Sequence, residues 1–481
     1  MIYLNYMIQN TLHLYNTAKR KTTFFKPINQ NEVTVYTCGP TVYDLTTIGN
    51  MRSYVFADIL RRTLVWNNYR VKSTINFTDF GHLSDDADAG EDKILKALKK
   101  SGLPLTLESM RNYTDRYIKK YKEDTVKLNI IHPTTYARAS DFVLEQIETI
   151  AKLNEKNHTY TTSDGVYFDI STFPEYGKLG NIDIKSLKSG ARIKVNIEKK
   201  HPADFALWKF GDLGWDSPWG KGFPGWHIEC STMAISTLGE SIDIHTGGVD
   251  HIHTHHNAEI AQSECITQKT FANYWLHNAF VTINNTKISK SLGNVITVPD
   301  LEEKGYNPLA YRYWLLTSHY RSQINFNYSS LKQASYALRR LYYHYYEEYK
   351  ARSNEQPDLG VLCKFTNAIN QDLNTPQAIS IMWQLIRSNS FTSGTKIATL
   401  REMDDVLGVG LNQKLEDGLA KLHIKIQDRL PKDIDELIKL RDQARANKNW
   451  PESDRIRDLL KQKGYTVEDT DKGTRVLKLS H

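Results

Sequence analysis

Short apolar runs and a helical periodicity alternate over the first eighty residues of the chain. The β-branched run at 32–38, EVTVYTC, predicts a buried strand, and VKSTINFTD at 71–79 predicts another. Between them apolar residues recur every three or four positions, which predicts a helix that begins near Asn50. A strand, a helix and a strand in this order form a right-handed unit with parallel strands. Ligands bind beyond the carboxyl ends of such strands, where Cys38 and Thr78 fall.

The pattern changes in the middle of the chain and then returns. From about residue 130 to 220 short strand-like pieces such as DGVYFDI alternate with Gly, Pro and charged clusters, which indicates an insertion. The strand SIDIHTGG and a helix from His255 to Cys265 then resume the earlier order. The sequence therefore predicts an α/β fold: a split Rossmann-type parallel-sheet domain at 12–130 and 221–275, with a connective insertion at 131–220.

The remainder of the chain reads as mainly helical. A linking region at 276–325 precedes a predicted helical bundle at 326–425, where Thr375 is expected to cap a helix that has Pro376 at its first position. A small C-terminal unit at 426–481 combines a charged helix pair with the β-like tail YTVEDTDKGTRVLKL. The order of elements predicts roughly three domains in 481 residues.

Composition narrows the class of protein. The chain is 40% hydrophobic, and no stretch approaches the ~20 apolar residues of a membrane helix. The cysteines lie far apart, at 38, 230, 265 and 363. This spacing argues against a disulfide framework, so we expect a cytoplasmic protein with no membrane partner. The net charge of +7 is only weak evidence for a polyanionic partner.

The segment 222–264 holds the most informative candidate chemistry. His255 and Glu259 are four residues apart, so a helix would place both side chains on one face. With Cys230 they offer the thiolate, imidazole and carboxylate groups that bind zinc. The residues alone leave the choice of histidine open, because three others lie close by: His251, His253 and His256.

Two short motifs suggest a nucleotide site. KISKS at 287–291 contains Lys287 and Lys290, whose ammonium groups suit a triphosphate. TIGN at 47–50 lies between the first predicted strand and the helix that follows it. Gly49 there permits close approach of a ligand to the backbone. In isolation, the first motif is better explained as a solvated basic turn, and the second as a loop glycine followed by a helix-capping Asn.

The predicted parallel-sheet domain is split by an insertion, with TIGN before the insertion and KISKS after it. In this arrangement the two motifs resemble the paired signatures of class I aminoacyl-tRNA synthetases. Thr47 and Asn50 replace the histidines of the usual HIGH form, as in tryptophanyl-tRNA synthetases. The sequence around these motifs is similar to cysteinyl-tRNA synthetases over nearly the whole chain. The similarity is notable in YTCGPTVYDLTTIGN, GWHIECS, HTGGVDHIHTHHNAEIAQSE, KISKSLGN and DLNTPQA. The sequence is thus identified as a member of that family.

The resemblance implies a reaction and its cofactors. It implies ATP-dependent activation of L-cysteine to cysteinyl-adenylate, transfer to tRNA(Cys), Mg²⁺ accompanying ATP, and a monomer. It also implies one Zn²⁺ per chain, held by Cys38, Cys230, His255 and Glu259. Cysteine and serine differ by one atom, and shape alone separates such near-isosteres poorly. A soft metal separates them well, so the family manages without an editing domain.

The resemblance also implies roles for residues around the metal and at the C-terminus. Charge stabilisation in the adenylation step is assigned to Lys287, Lys290, Thr47 and Asn50. ATP contacts are assigned to Gly39, Gly49, Gly247, Gly248, Asp250 and Lys290. Substrate cysteine contacts are assigned to Thr78 and Trp226. Anticodon readout is assigned to Arg445, Trp450, Asp454, Arg457 and Asp469.

Two alternatives keep part of this chemistry. Cysteine ligases of mycothiol synthesis resemble the catalytic half but lack an anticodon domain, so the unit after Pro431 favours tRNA as the acceptor. A zinc- and RNA-binding paralogue without activity is the other alternative, and the intact lysine motif argues against it. The acidic stretch at 84–92 is interpreted as a solvated loop.

Overall fold

A computed structural model describes residues 12–81, 92–182, 197–288, 293–350, 355–412, 431–470 and 473–478. The strands are β1 (His13–Asn16), β2 (Lys21–Phe24), β3 (Glu32–Thr37), β4 (Arg70–Phe77), β5 (Thr135–Arg138), β6 (Thr159–Thr162), β7 (Gly165–Phe168), β8 (Phe205–Trp215), β9 (Gly222–Pro224), β10 (Ile242–Gly248), β11 (Ala272–Asn278), β12 (Val281–Ile283), β13 (Thr286–Lys287), β14 (Ile324–Phe326), β15 (Tyr465–Thr470) and β16 (Gly473–Lys478).

The helices in the described part of the chain are α1 (Ile48–Trp66), α2 (Lys93–Lys100), α3 (Leu107–Lys127), α4 (Val143–Glu155), α5 (Trp226–Leu238), α6 (His255–Thr267), α7 (Val298–Glu303), α8 (Pro308–Leu316), α9 (Tyr328–Lys350), α10 (Leu359–Asn370), α11 (Thr375–Arg387), α12 (Ser393–Leu407), α13 (Lys432–Ala446) and α14 (Trp450–Gln462). Not one of these described helices combines the length and apolarity needed to cross a bilayer.

The central sheet is parallel throughout and has the order β11-β10-β3-β4-β5. Helix α1 connects β3 to β4, and α6 connects β10 to β11, as the sequence predicts. Numbered along the chain, the strands follow the 3-2-1-4-5 arrangement of doubly wound folds, in which the order reverses between β3 and β10. The predicted α/β class is confirmed, and the reversal marks the expected ligand crevice.

Strand β3 shows why the sheet is buried on both faces. Val33 and Val35 pack into one hydrophobic core, which continues through α1 into the helical bundle. Tyr36 and Cys38 pack into a second core, which includes parts of α4, α5, α6 and the antiparallel sheet. Successive side chains of a strand point to opposite faces, so apolar residues at both odd and even positions suit a sheet covered on both sides.

The insertion begins after strand β5, which is later in the chain than its predicted start at residue 131. Strand β5 falls inside the predicted range 131–220, yet it pairs with β4 as the edge of the parallel sheet. The inserted antiparallel sheet, of order β6-β7-β8-β9, starts at Thr159 and ends at Pro224. The four-residue strand β5 carries no apolar run, which is why the sequence pattern did not assign it to the sheet.

The remaining elements follow the sequence with one local correction. Asn374, and not Thr375, caps α11: its side chain accepts from the Gln377 amide at 3.1 Å, and Pro376 takes the second helical position. The C-terminal unit consists of α13, α14 and the β15–β16 hairpin around its own small core. The predicted helix pair and β-like tail are therefore present.

A buried ionic cluster ties the sheet domain to the helical bundle. Asp58 on α1 accepts from Arg312 of α8 at 2.7 Å and from Arg62 at 2.8 Å, and all three side chains are buried. The Arg312 guanidinium also donates to the carbonyl oxygen at the end of α12. Burial by itself would raise the pKa of Asp58, but the neighbouring arginine charges outweigh it and hold the pKa below its usual value.

Replacing the single anion of this cluster tests its contribution to stability. Asp58→Asn leaves the arginines buried without their counter-charge, so we expect the free energy of unfolding to fall by about 3–5 kcal/mol. Thermal and denaturant unfolding of the purified variant measure this loss. The control is Glu123→Gln in an exposed ion pair with Lys120, which should change stability by less than about 0.5 kcal/mol. Equal, small effects in both variants would contradict the prediction.

Candidate active site

A cavity of about 250 Å³ opens at the carboxyl edge of the parallel sheet, where the strand order reverses. Cys38 directly follows β3 and Gly248 ends β10, and both residues line the cavity. The other lining residues are Gly39, Pro40, Thr41, Asn50, Ser53, Tyr54, Asn76, Thr78, Lys93, Trp226, Cys230, Asp250, His251, Thr254 and His255. The cavity therefore occupies the crevice expected of this topology.

The first turns of several helices converge on this cavity. Asn50 of α1, Lys93 of α2, Trp226 of α5 and His255 of α6 each lie in the first turn of their helix and line the cavity. Helix N-termini present the positive end of the helix dipole. Together with the Lys93 ammonium group, they favour a ligand that carries negative charge, such as a phosphate or a carboxylate.

Four potential metal ligands meet on one side of the cavity. The ligand atoms of Cys38, Cys230, His255 and Glu259 all lie within 4.8 Å of one another, and all four residues are buried. His255 Nε2 lies 3.1 Å from Glu259 Oε1, because α6 brings the two residues together one turn apart. The two thiols come from the end of β3 and from α5. Two sulfurs, one nitrogen and one oxygen form a donor set that fits zinc.

The structure also offers a second, overlapping set. Cys38 and Glu259 can be combined with His245 and His256, and these four ligand atoms satisfy the same distance limit. His245 and His256 are fully buried and are not among the residues that line the cavity. Cys38, Cys230 and His255 do line it. Only the first set therefore places a metal where a ligand in the cavity could reach it.

Hydrogen bonds orient the ligands of the first set. His255 Nδ1 lies 2.9 Å from His227 Nδ1, which leaves Nε2 directed at Glu259. The other oxygen of Glu259 lies 2.8 Å from His245 Nε2. Such outer contacts are typical of metal ligands, whose orientation they fix. Sequence reasoning missed both supporting histidines, although His227 lies within the GWHIECS motif.

Burial controls the charge state of the thiols in the protein alone. It raises the pKa of Cys38 and of Cys230, each of which is further affected by the other thiol nearby. Burial also lowers the pKa of His256, and the neighbouring His245 adds to this effect. The pocket therefore favours neutral side chains until a cation enters, and a dication would reverse the preference of the thiols.

The residues assigned to the substrate cysteine lie beside this cluster. Trp226 stacks on His255 with 4.4 Å between ring centroids. Thr78 is buried at the end of β4, and its hydroxyl donates to Glu229 Oε2 at 2.8 Å. Sequence reasoning missed Glu229, a fully buried residue adjacent to Cys230; burial raises its pKa well above the usual value. Since its hydrogen is used in this bond, Thr78 can offer only oxygen lone pairs to a ligand.

Several of the described residues assigned to ATP line the cavity or lie beside it. A Cβ at Gly39 would collide with the carbonyl oxygen of Asn76, and one at Gly247 would lie 2.7 Å from His256 Cε1. Both positions therefore require glycine for packing. Gly248 and Asp250 line the cavity, as does Asn50. Thr47 caps α1 by accepting from the Asn50 amide at 3.2 Å, and its hydroxyl donates to Asn50 Oδ1 at 2.6 Å.

The structure brings the two nucleotide motifs together. A Cβ at Gly49 would lie 2.7 Å from Ile288 Cδ1, so TIGN packs directly against the start of KISKS. Thr47 also forms a backbone bridge with Thr297. Lys287 lies in β13, where its carbonyl accepts from Asn294 at 3.0 Å. Lys290 lies outside the described residues, as does most of the acidic stretch at 84–92.

The residues assigned to the anticodon lie on the C-terminal unit. The Arg445 guanidinium lies over the Trp450 ring at 5.4 Å, and this ring is 52% exposed. Asp469 pairs with Arg445 at 3.0 Å and, through both oxygens, with buried Arg441, which sequence reasoning missed. A separate ion pair on α14 joins Arg457 to Asp454 at 3.1 Å. An exposed aromatic ring beside charged groups is a surface suited to an unpaired base.

Family comparisons cover most of the chain. Residues 24–336 match the family described as tRNA synthetases class I (C) catalytic domain. Residues 364–412 match the DALR domain, and residues 415–476 match the cysteinyl-tRNA ligase anticodon binding domain. The cavity and its four potential metal ligands thus lie within the matched catalytic region.

Solved structures show the same fold at low sequence identity. The methionyl-tRNA synthetase of Mycobacterium tuberculosis, in complex with methionyl-adenylate, superposes with a TM-score of 0.52 at 12% identity over 82% of this chain and 91% of that chain. The ternary LeuRS–tRNA–LeuAMS complex from Agrobacterium radiobacter gives a TM-score of 0.58 at 12% identity, over 83% of this chain and 86% of that chain.

Relatives with higher identity extend over almost the full length. Cysteine–tRNA ligase 1 of Burkholderia lata is 42% identical over 472 residues, covering 97% of this chain and 96% of the relative. The cysteine–tRNA ligase of Treponema denticola is 40% identical over 489 residues, covering 95% and 98%. This chain therefore belongs to the cysteinyl-tRNA synthetase (cysteine–tRNA ligase) family of class I aminoacyl-tRNA synthetases.

Proposed function

We propose that this protein activates L-cysteine with ATP and transfers it to tRNA(Cys), and that it recognises the cysteine thiol through a zinc ion. Membership of the family supports ligation of cysteine to tRNA. The observation that carries the zinc assignment is the meeting of Cys38, Cys230, His255 and Glu259, three of which line the cavity that TIGN borders.

The donor set supplies the basis for selectivity. When bound by these four residues, zinc would offer a soft coordination position for the substrate thiol. A serine hydroxyl is a harder and far less acidic group, so it gains little from such a position. Trp226 forms one wall beside His255, and the Thr78 oxygen, whose hydrogen is donated to Glu229, would accept from the substrate ammonium group. Side chains of this protein would thus fix both ends of a cysteine molecule.

The side of the cavity that Asn50 lines would serve the adenylation step. The substrate carboxylate attacks the α-phosphorus of ATP, a bond to the α-phosphoryl group forms, and pyrophosphate leaves. No protein nucleophile is needed, so catalysis depends on positioning and on stabilising negative charge. Asn50 at the start of α1, together with Lys287 and Lys290, would provide donors and positive charge for the phosphates that Mg²⁺ accompanies.

The C-terminal unit supports tRNA as the acceptor. Trp450 is half exposed, and Arg445 and Asp469 lie next to it. An aromatic ring can stack on an unpaired base while arginine and aspartate contact its polar edges. The ligases that pass cysteine to an amino sugar have no such unit, so its presence favours tRNA over that alternative.

Removing one thiol ligand tests the metal assignment. We expect Cys230→Ser to lose bound zinc and to lower cysteine-dependent pyrophosphate exchange by at least about 100-fold, because the remaining ligands hold the ion poorly. Metal analysis and exchange assays measure the two effects together. The control is Cys363→Ser at an exposed cysteine of α10, which should keep both properties. Unchanged zinc content and exchange in Cys230→Ser would overturn the assignment.

Removal of the metal from the unmodified protein separates thiol recognition from the other steps. After chelation we expect cysteine-dependent exchange to disappear and to return when zinc is restored. In the zinc-loaded protein, kcat/KM for serine should be at least about 10³-fold below that for cysteine, since the site is built around the sulfur. Exchange that persists in zinc-free protein, or comparable rates with serine, would refute thiol recognition by zinc.

Substitution of the exposed aromatic residue tests the tRNA surface. Trp450→Ala should lose about 1–3 kcal/mol of base stacking, so kcat/KM for tRNA charging should fall about tenfold while pyrophosphate exchange is unchanged. Leu440→Ala, which removes another exposed apolar side chain from α13, serves as the control. A charging efficiency equal to that of the control would exclude Trp450 from tRNA recognition.

A further inference from the structure

The guanidinium group of Arg52 lies in an unusual environment. Arg52 is on α1, two residues after TIGN, and its side chain is only 3% exposed. The group donates to five main-chain carbonyl oxygens, those of Ala279, Phe280, His319, Tyr320 and Ser322. One side chain thus joins the helix of the first nucleotide motif to two other segments of backbone.

These two segments lead into the sheet that carries the second nucleotide motif. Ala279 and Phe280 connect β11 to β12, and residues 319–322 precede β14. Strands β12 and β14 pair in parallel, and β13, which contains Lys287, pairs with β12. The backbone of the two segments is itself joined, because the Ala279 amide donates to the Tyr320 carbonyl at 3.0 Å. Arg52 therefore holds the base of the three-stranded sheet from which KISKS extends.

The second segment is also held from the helical bundle. The Tyr320 hydroxyl donates to Asp372 Oδ1 at 2.7 Å, and Arg321 Nε donates to Asp372 Oδ2 at the same distance. Asp372 lies in the turn between α10 and α11. Arg52 and Asp372 thus both form hydrogen bonds with residues 319–322. These bonds restrict movement of the base of the three-stranded sheet relative to α1.

The charge of Arg52 is balanced by peptide dipoles alone among the described residues, where no carboxylate forms an ion pair with it. Burial lowers the pKa of its guanidinium to about 10, so the group stays charged at neutral pH. A buried cation without a counter-ion contributes little to stability compared with apolar packing. What the planar five-donor group supplies is a fixed geometry for several acceptors at once.

We propose that Arg52 is a positioning residue for the adenylation reaction: it sets the β12–β13 hairpin, which carries Lys287 of KISKS, at a fixed place relative to TIGN. This inference rests on the proposed function, in which both motifs contact one ATP molecule. A direct tie near the start of α1 is consistent with it, because the Ile48 amide donates to the Ile296 carbonyl at 2.8 Å, just after KISKS. Arg52 itself does not line the cavity, so it acts through the backbone that it holds.

The variant Arg52→Lys tests the proposal, because lysine keeps the charge but cannot bind five carbonyl groups in one plane. A shift of about 1 Å in a positioned group costs about 10²-fold in rate. We therefore expect kcat for pyrophosphate exchange to fall about 10- to 100-fold. The KM for cysteine and the zinc content should stay unchanged, because the metal site does not depend on the hairpin.

The matched control is Arg62→Lys on the same helix. Arg62 is similarly buried and also donates to main-chain carbonyl groups, those of Asn129 and Asp405, but among the described residues it forms no hydrogen bond with β12, β13 or residues 319–322. We expect Arg62→Lys to lower the midpoint of thermal unfolding at least as much as Arg52→Lys and to keep kcat within about twofold of the unmodified protein. The comparison separates positioning from general stability.

Hydrogen–deuterium exchange gives a readout that does not require activity. Arg52→Lys should speed amide exchange in β12, β13 and residues 319–322, while Arg62→Lys should leave these amides unchanged. The proposal is overturned if Arg52→Lys keeps the kcat of the unmodified protein, if Arg62→Lys loses as much kcat, or if the hairpin amides do not respond. Failure of Arg52→Lys to fold also counts against it, since a positioning role must be separable from folding. An unmodified protein with no cysteine-dependent exchange would instead refute the proposed function.

Discussion

The reversal of strand order between β3 and β10 is the constraint on which the rest of the site depends. Because α1 and α6 leave these neighbouring strands toward opposite faces of the sheet, a crevice opens at their carboxyl ends. Cys38 at one side of this crevice and the α6 pair His255 and Glu259 at the other can then converge on one point. The inserted antiparallel sheet returns the chain to the crevice at α5, which contributes Cys230. The meeting of the four potential metal ligands thus follows from the topology.

Buried cations keep the parts that surround this crevice in register. Arg312 and Arg62 share Asp58 and bind carbonyl groups at the ends of distant helices, so the bundle and the sheet cannot slide past each other without exposing unpaired charge. Arg52 also binds main-chain carbonyl groups, but it has no anionic partner among the described residues. Its contacts lie at the base of the β12–β13 hairpin. All three guanidinium groups lie on α1 or pack against it, which makes this helix the common frame of the two nucleotide motifs.

Local patterns in the sequence predicted the elements well, and the resemblance supplied the set of residues. EVTVYTC and SIDIHTGG became adjacent parallel strands, and the apolar side chains of both are buried. The sequence could not predict β5, whose four residues have no apolar run, or the cap of α11, where adjacent Asn374 and Thr375 both have suitable side chains. Arg52 and Glu229 lie within regular helices, and their partners are distant in sequence, so no spacing reveals them. Contacts of that kind depend on the complete fold.

The TIGN motif carries Thr47 and Asn50 where the usual form has histidines. Thr47 caps α1 and donates its hydroxyl hydrogen to Asn50 Oδ1, so the oxygen of this amide is already in use. The nitrogen end of Asn50 is therefore the end available to the cavity that the residue lines. Its N–H donors remain donors at every physiological pH, whereas an imidazole ring changes charge within that range. A phosphate bound there would meet a fixed set of donors, with Lys93 in the cavity lining and Lys287 on β13 as sources of positive charge.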